Sequence, residues 1–203
     1  HPLAPLSLRE SEAKSMIVVG IDPSLTGTGI IVLRNGELGK ALTTKNEPKL
    51  GTIERVRRIY EQINNVIENL STCYVNAYIG DKRMIRWEPP SLIVIEGFSY
   101  GSKGRGVFDI AYLGWRIREE LERYRTEDDI PWLEVSPSQV KQFATGKGNA
   151  NKEIVLQQVY KRWGVELTDN NQADAYVLAQ IGRAYLGEAD DLTDFQQKVI
   201  RAL

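Results

Sequence analysis

The sequence contains one cysteine, one histidine and almost no net charge. Because Cys73 is the only cysteine among 203 residues, an internal disulfide and a thiolate metal site are excluded, and a reducing compartment is expected. The only histidine is His1, which argues against a histidine-ligated metal or a histidine general base. The formal net charge of −1 gives no global sign of nucleic-acid binding, so any basic surface must be local.

Long apolar runs are also missing. None approaches the roughly 20 residues needed to cross a bilayer, so we expect no membrane partner and a cytoplasmic location. Residues 1–15 lack the core of a signal peptide and are interpreted as a flexible extension or a cloning remnant, with Met16 as the candidate start. One domain is predicted over 16–187. The residues 188–203 are predicted to form a helical tail, with self-association as one use.

Hydrophobic periodicity predicts an α/β domain with a mixed sheet flanked by helices. Five strands are predicted, over 17–22, 28–34, 37–44, 92–96 and 132–135. Helices are predicted over 52–70, over about 107–124, on either side of 146–148, and from about Asn171 to Gly187. The Asn35-Gly36 pair predicts a type I′ hairpin turn. The stretch 71–90 is interpreted as an inserted loop or hairpin.

Three carboxylates occupy positions where an apolar residue is expected. Asp22 ends the first strand, Glu96 ends a central strand, and Asp174 lies on the apolar face of a late helix. Each of them alone is equally typical of a capped turn or an element end. Together at one sheet edge they would repel one another strongly, and a hard divalent cation with oxygen ligands would remove that cost. The pattern therefore favours a Mg²⁺ or Mn²⁺ site of the kind that hydrolyses phosphodiesters.

Basic residues, partly together with aromatic ones, are concentrated in three stretches, the first of which is 82–87. Residues 100–106 form a glycine-rich segment that carries Tyr100 and Arg105, and the later stretch carries Lys141, Lys147 and Lys152. Such clusters provide phosphate contacts in DNA-binding proteins. The bland alternative is that these are ordinary surface lysines.

Four motifs, in this order, resemble the RuvC family of Holliday-junction resolvases. They are GIDPS at 20–24 with TGTG at 26–29, VIE at 94–96, VKQ at 140–142 with TGKG at 145–148 and NK at 151–152, and QADA at 172–175. The resemblance spans roughly residues 16–187. It implies an RNase H-like fold, a homodimer and Mg²⁺-dependent symmetric nicking of four-way DNA junctions, with Mn²⁺ as a substitute metal. It also allows a branch-migration helicase as partner and a nucleoid-associated location.

The same resemblance assigns roles to individual residues. The family's metal-binding acids fall on Asp22, Glu96 and Asp174, and its two active-site lysines fall on Lys141 and Lys152. A lysine at such a position contacts the scissile phosphate or stabilises the charge that develops on it.

Two positions depart from the family pattern. One helical turn before the last acid, the family has an acid or a histidine, whereas this chain has Asn171. Asparagine offers an oxygen without charge, which is either a natural variation, with Asp169 compensating, or a disabling substitution. Three residues after the central Glu, the family has an aromatic wedge, whereas this chain has Ser99; Phe98 or Tyr100 is the expected replacement for stacking on an unpaired base.

Three alternatives stay open on the sequence. The Gly-Ile-Asp start with its Thr/Gly turn also occurs in actin-like and sugar-kinase-like ATPases, but no second phosphate-binding motif appears. A junction-binding protein with impaired cleavage would agree with Asn171. A related RNase H-like nuclease could act on flaps, forks or RNA–DNA hybrids, with the basic aromatic stretch 82–87 selecting the substrate.

Overall fold

The computed structural model describes residues 15–44, 47–71, 77–79, 82–84, 88–98 and 106–203. The main strands are β1 (Ile17–Asp22), β2 (Gly29–Arg34), β3 (Glu37–Thr43), β6 (Leu92–Glu96) and β7 (Trp132–Val135). They form one sheet in the order β3-β2-β1-β6-β7, in which β1 pairs antiparallel with β2 and parallel with β6. The predicted α/β class and mixed five-stranded sheet are confirmed.

The helices lie close to the predicted residue ranges. They are α1 (Thr52–Ser71), α2 (Gly106–Glu127), α3 (Pro137–Thr145), α4 (Lys152–Trp163), α5 (Asn170–Tyr185) and α6 (Asp194–Arg201). Within 71–90 the described backbone forms an antiparallel pair, β4 (Ala77–Ile79) and β5 (Lys82–Met84), so the hairpin interpretation of this stretch is correct. Among the described residues, no helix is both long and apolar enough to span a membrane.

The first three strands form the predicted antiparallel meander. Asn35 and Gly36 have φ of 50° and 83°, the left-handed pair that a type I′ turn requires. The Asn35 side chain also accepts a hydrogen bond from the backbone N–H of Met16 at 2.9 Å. This turn therefore fixes the register in which β1 enters the sheet.

The sheet separates two hydrophobic cores, and successive residues of β1 contribute to opposite ones. Val18 packs with residues of α3, α4 and α5, whereas Ile17, Val19 and Ile21 pack with residues of α1 and α2. All six residues of β1 are buried, as expected for a strand covered on both faces. Because both faces of β1 are covered, a functional site that includes residues of β1 must lie at the end of the strand.

Helix α6 is part of the same core as the sheet. Its Val199 is 2% exposed and belongs to the cluster that contains α3 and α5. The ring of Phe195 lies near Gly146 and under the guanidinium of Arg162, 5.0 Å from its centre. The apolar face that suggested self-association is therefore used within the chain.

Candidate active site

The parallel pairing of β1 and β6 brings two acids to one edge of the sheet. Ile21 lies opposite Ile95 in the register, so Asp22 and Glu96 both follow at the carboxyl ends of adjacent strands. The turn after β1 is held by Thr28, whose hydroxyl donates to the carbonyl of Ser24 at 2.9 Å and accepts from its N–H at 3.1 Å. Asp22 is 4% exposed, so it lies inside this edge and not in a solvated turn.

Helix α5 crosses the same edge and supplies the third acid. A Cβ at Gly20 would collide with the carbonyl oxygen of Ala175, and one at Gly29 would collide with the carbonyl oxygen of Asn171. The absence of side chains at these two positions lets the helix lie directly on β1 and β2. Asp174 on this helix is also 4% exposed and faces the first two acids.

Burial raises the pKa of all three carboxyl groups, and repulsion by neighbouring acids adds to this shift for Asp22 and Glu96. The pKa of Glu96 rises from 4.5 to about 7, mainly because of burial and secondly because of the charge of Asp174. Burial and the charges of both neighbouring acids raise the pKa of Asp22 well above its ordinary value, and its side chain is hydrogen-bonded to Glu96. Burial raises the pKa of Asp174 as well. Without a cation, the edge therefore retains protons that isolated acids would have lost.

Two lysines face this cluster and oppose the shifts. Lys152 Nζ lies 3.8 Å from Asp174 Oδ2, and the charges of Lys152 and Lys141 both lower the pKa of Asp174. Lys141 lies on α3, and Lys152 is the first residue of α4. The lysine side chain of Lys152 is 53% exposed, so its ammonium borders both the acids and the solvent.

The donor set suits a divalent cation. Asp174 Oδ1 is buried and has no hydrogen-bond partner, which is costly for a carboxylate oxygen unless a cation binds it. Carboxylate oxygens alone are ligands for Mg²⁺ or Mn²⁺ more than for Zn²⁺. Among the described residues, no three Asp, Glu, His or Cys side chains are positioned to bind one metal ion together. The chemistry and charge of the site fit a divalent cation.

Asn171 lies in the first turn of α5, three residues before Asp174. Its amide nitrogen approaches Gly27 in the turn after β1. Asp169 does not replace it: Asp169 Oδ1 accepts from the N–H of Gln172 at 2.9 Å and Oδ2 accepts from the hydroxyl of Thr43 at 2.6 Å. Asp169 therefore caps α5 and joins it to β3, and the idea that it compensates for Asn171 is not supported.

Of the other residues predicted to bind DNA, the structure describes Lys147 and Phe98. Lys147 is exposed in the turn between α3 and α4. The guanidinium of Arg118 covers one face of Phe98 at 4.0 Å, and Trp115 packs beside the ring at 5.7 Å, so that face of Phe98 is not free to stack on a base. Tyr100, Arg105 and Ser99 lie outside the described residues.

Sequence reasoning missed Arg118 and Glu134. Arg118 Nε donates to Glu134 Oε2 at 2.7 Å, and Arg118 Nη2 donates to the backbone carbonyl of Glu96 at 3.2 Å. The spacing of Arg118 could have indicated that it is buried, because it lies four residues after Gly114 and three before Leu121 on the buried face of α2. A cavity of about 410 Å³, lined by apolar residues of α2, also opens beside Glu96 and Pro23.

Comparison with known proteins gives a consistent result. No protein-family model matches the chain. The crossover junction endodeoxyribonuclease RuvC of Carboxydothermus hydrogenoformans is 24% identical over 180 residues, which cover 85% of this chain and 98% of that protein. This similarity confirms the predicted resemblance to the RuvC family.

Solved structures agree with this finding. The Thermus thermophilus RuvC structure matches with a TM-score of 0.60 and 23% identity, covering 86% of this chain and 98% of the other. The structure of T. thermophilus RuvC in complex with a Holliday junction substrate matches with a TM-score of 0.59 and 25% identity, covering 85% and 95%. These matches confirm the predicted RNase H-like fold.

Proposed function

We propose that this chain is a metal-dependent endodeoxyribonuclease that resolves four-way DNA junctions by symmetric hydrolysis. The observation that carries the proposal is the position of Asp22, Glu96 and Asp174, which face one another at the carboxyl edge of the sheet with raised pKa values. Buried acids with shifted pKa values and a specific charged partner are typical of catalytic sites.

The three acids and Lys152 have different roles in the proposed reaction. Asp22, Glu96 and Asp174 would hold Mg²⁺, with Mn²⁺ as a substitute. A bound divalent cation supplies an activated water and stabilises the leaving oxygen in phosphodiester hydrolysis. Lys152 borders the acids and the solvent, where its ammonium can bind the scissile phosphate and stabilise the charge that develops on it. Lys141 adds positive charge from α3.

The substrate assignment rests on the relatives and on the local charge. Relatives of this chain are named crossover junction endodeoxyribonucleases, and one matching structure contains a Holliday junction. Phosphate contacts from Lys141, Lys147 and Lys152 would dominate the affinity, which should fall steeply with salt. Junction shape and deformability would supply selectivity.

Paired nicks on opposing strands require two active sites, and we propose that they come from a homodimer. Helix α2 supports this proposal because Phe108, Tyr112 and Trp115 recur at helical spacing on its outer face. They are 78%, 44% and 66% exposed. An exposed aromatic row of this kind is typical of an interaction surface. A nucleoid-associated location and a branch-migration helicase as partner stay part of this proposal.

A second candidate is a junction-binding protein with impaired cleavage. The neutral Asn171 beside Asp174 favours it, because one negative charge fewer weakens the attraction of the site for a cation. This candidate retains the basic residues and predicts binding without nicking.

The test is a nicking assay on a labelled four-way junction beside linear duplex, fork and RNA–DNA hybrid of matched sequence. We expect nicks in the junction with Mg²⁺ and none with EDTA. Tight junction binding without nicks would select the second candidate, and equal cutting of fork or hybrid would indicate another RNase H-like nuclease. Absence of any junction preference in binding and cutting would overturn both.

A further inference from the structure

We propose that Arg118 is a positioning residue, which holds the end of β6 so that the Glu96 carboxyl group faces Asp22. The inference rests on the proposed function and adds a residue to it. Arg118 lies in the middle of α2 and is 6% exposed. Its guanidinium donates from Nε to Glu134 Oε2 at 2.7 Å, from Nη1 to the carbonyl of Gly114 at 2.9 Å and from Nη2 to the carbonyl of Glu96 at 3.2 Å.

The contact with Glu96 fixes one peptide group from both sides. The carbonyl of Glu96 accepts from Arg118, while the N–H of Gly97, in the same peptide group, donates to the carbonyl of Val135 at 2.7 Å. With both polar atoms of this peptide held, its plane cannot rotate freely, and the backbone of Glu96 retains one direction. The direction of the Glu96 side chain follows from that of its backbone.

Two glycines make room for this arrangement. A Cβ at Gly114 would collide with the ring of Phe98 and lie 3.1 Å from Arg118 Nη1. A Cβ at Gly97 would lie 2.9 Å from Glu134 Oε1. The guanidinium stacks 4.0 Å over the ring of Phe98, which closes the side not used for hydrogen bonds. Arginine suits this position because its planar fork reaches three acceptors at once.

A buried arginine that only stabilised the fold would behave differently from a positioning residue. Loss of a stabilising contact lowers the melting temperature and leaves the folded molecules fully active. Loss of positioning lowers kcat and the affinity for metal in molecules that are folded, because outer hydrogen-bond partners of metal ligands set their orientation.

The experiment compares Arg118→Met with the wild-type chain and with Arg125→Met. Methionine retains the unbranched stem and removes all donors. Arg125 lies on the same helix, is 54% exposed and pairs with Glu122, so it controls for the loss of a helical arginine. The readouts are kcat and KM for junction nicking, Mn²⁺ affinity by electron paramagnetic resonance, and the melting temperature.

For Arg118→Met we expect kcat to fall about 100-fold, as for a small displacement of a reacting group, with KM little changed. Mn²⁺ affinity should fall about 10-fold or more, and Arg125→Met should leave both unchanged. Unchanged kcat and Mn²⁺ affinity in folded Arg118→Met overturn the inference while the proposed function stands. A wild-type chain that neither binds Mn²⁺ nor nicks the junction overturns the proposed function, and the inference with it.

Arg118→Lys keeps the test decisive where the methionine variant does not fold. A lysine retains the charge beside Glu134 and can satisfy only part of the three-acceptor set. We expect it to fold, to lose about 10-fold in kcat, and to bind Mn²⁺ more weakly than wild type. Wild-type kcat and Mn²⁺ affinity in Arg118→Lys would contradict the inference.

Discussion

Lys152 and Asp174 form an ion pair across the candidate site, with Lys152 Nζ 3.8 Å from Asp174 Oδ2. The other oxygen of Asp174, Oδ1, is buried and has no hydrogen-bond partner. One carboxylate thus has a cation on its solvent side and an unsatisfied oxygen on its inner side. This asymmetry separates the proposed role of the lysine from that of the acid.

Replacing Lys152 with alanine should lower the nicking rate about 100-fold, because a charge aimed at the scissile phosphate contributes mainly in the transition state. Stability should change little, since the side chain of Lys152 is 53% exposed and such ion pairs contribute below about 1 kcal/mol. Single-turnover nicking and thermal unfolding measure the two effects.

Lys161→Ala is the matched control, because Lys161 is an exposed lysine in the last turn of the same helix. It should lower junction affinity at most slightly and leave the chemical step unchanged. Equal losses of rate in the two variants would show that Lys152 acts through general charge alone.

The raised pKa of Glu96 predicts an unusual dependence of stability on pH in EDTA. Because the folded pKa of about 7 lies above 4.5, the folded state retains a proton that the unfolded state has lost between these values. The contribution of Glu96 to the free energy of unfolding is therefore fully present below about pH 4.5, and up to about 3 kcal/mol of it is lost as pH rises from about 4.5 to about 7.

Glu96→Gln tests this directly, since glutamine retains the shape and cannot ionise. The variant should be more stable than wild type at pH 8 in EDTA, and its unfolding free energy should fall less between pH 5 and pH 7. Denaturant melts at several pH values give the difference. If the stability of the two proteins depended on pH in the same way, the pKa of Glu96 would not be raised in the folded state, which would contradict the prediction.

Asn171→Asp should strengthen metal binding and raise the nicking rate. The new carboxylate would lie one helical turn before Asp174, in the first turn of α5, where the helix dipole favours negative charge. We expect Mn²⁺ affinity and nicking rate each to rise about 10-fold. Isothermal titration and the nicking assay provide the measurements, and a variant with lower Mn²⁺ affinity than wild type would contradict the expectation.

Gly20→Ala should destabilise the whole domain. The added methyl group would meet the carbonyl oxygen of Ala175, which is backbone and cannot rotate away, so α5 must move off β1. Overpacking of this kind costs about 1–3 kcal/mol or more. Gly106→Ala is the control, because nothing lies within 4 Å of its Cβ position. Equal melting temperatures for the two variants would contradict the close contact between α5 and β1.

Much of the site could be predicted because its acids interrupt apolar patterns. Asp22 and Glu96 each end a run of buried strand residues, and parallel pairing then places them together. Asp174 stands out in the same way on α5, which is buried along most of its length. A glycine at position 20 allows a helix to pack closely against β1, but only the structure shows that this helix is α5.

Other features depend on contacts between distant parts of the chain. Arg118 looks like any charged residue of an amphipathic helix until β7 supplies Glu134 beside it. Phe98 looks free for stacking until the guanidinium of Arg118 covers one face. The apolar residues of α6 suggest a surface until α3 and α5 are seen to bury Val199. Local sequence patterns carry no information about such partners.

Cleavage of a supercoiled plasmid that extrudes a cruciform tests the central claim most directly. Paired nicks across a four-way junction convert the supercoiled plasmid to a linear molecule, whereas a single nick gives an open circle. With Mg²⁺, the wild-type chain should give linear product with ends at the cruciform, and Asp174→Asn should give none while binding the junction. Open circles alone, or linear product that persists in Asp174→Asn, would contradict the proposed paired, acid-dependent resolution.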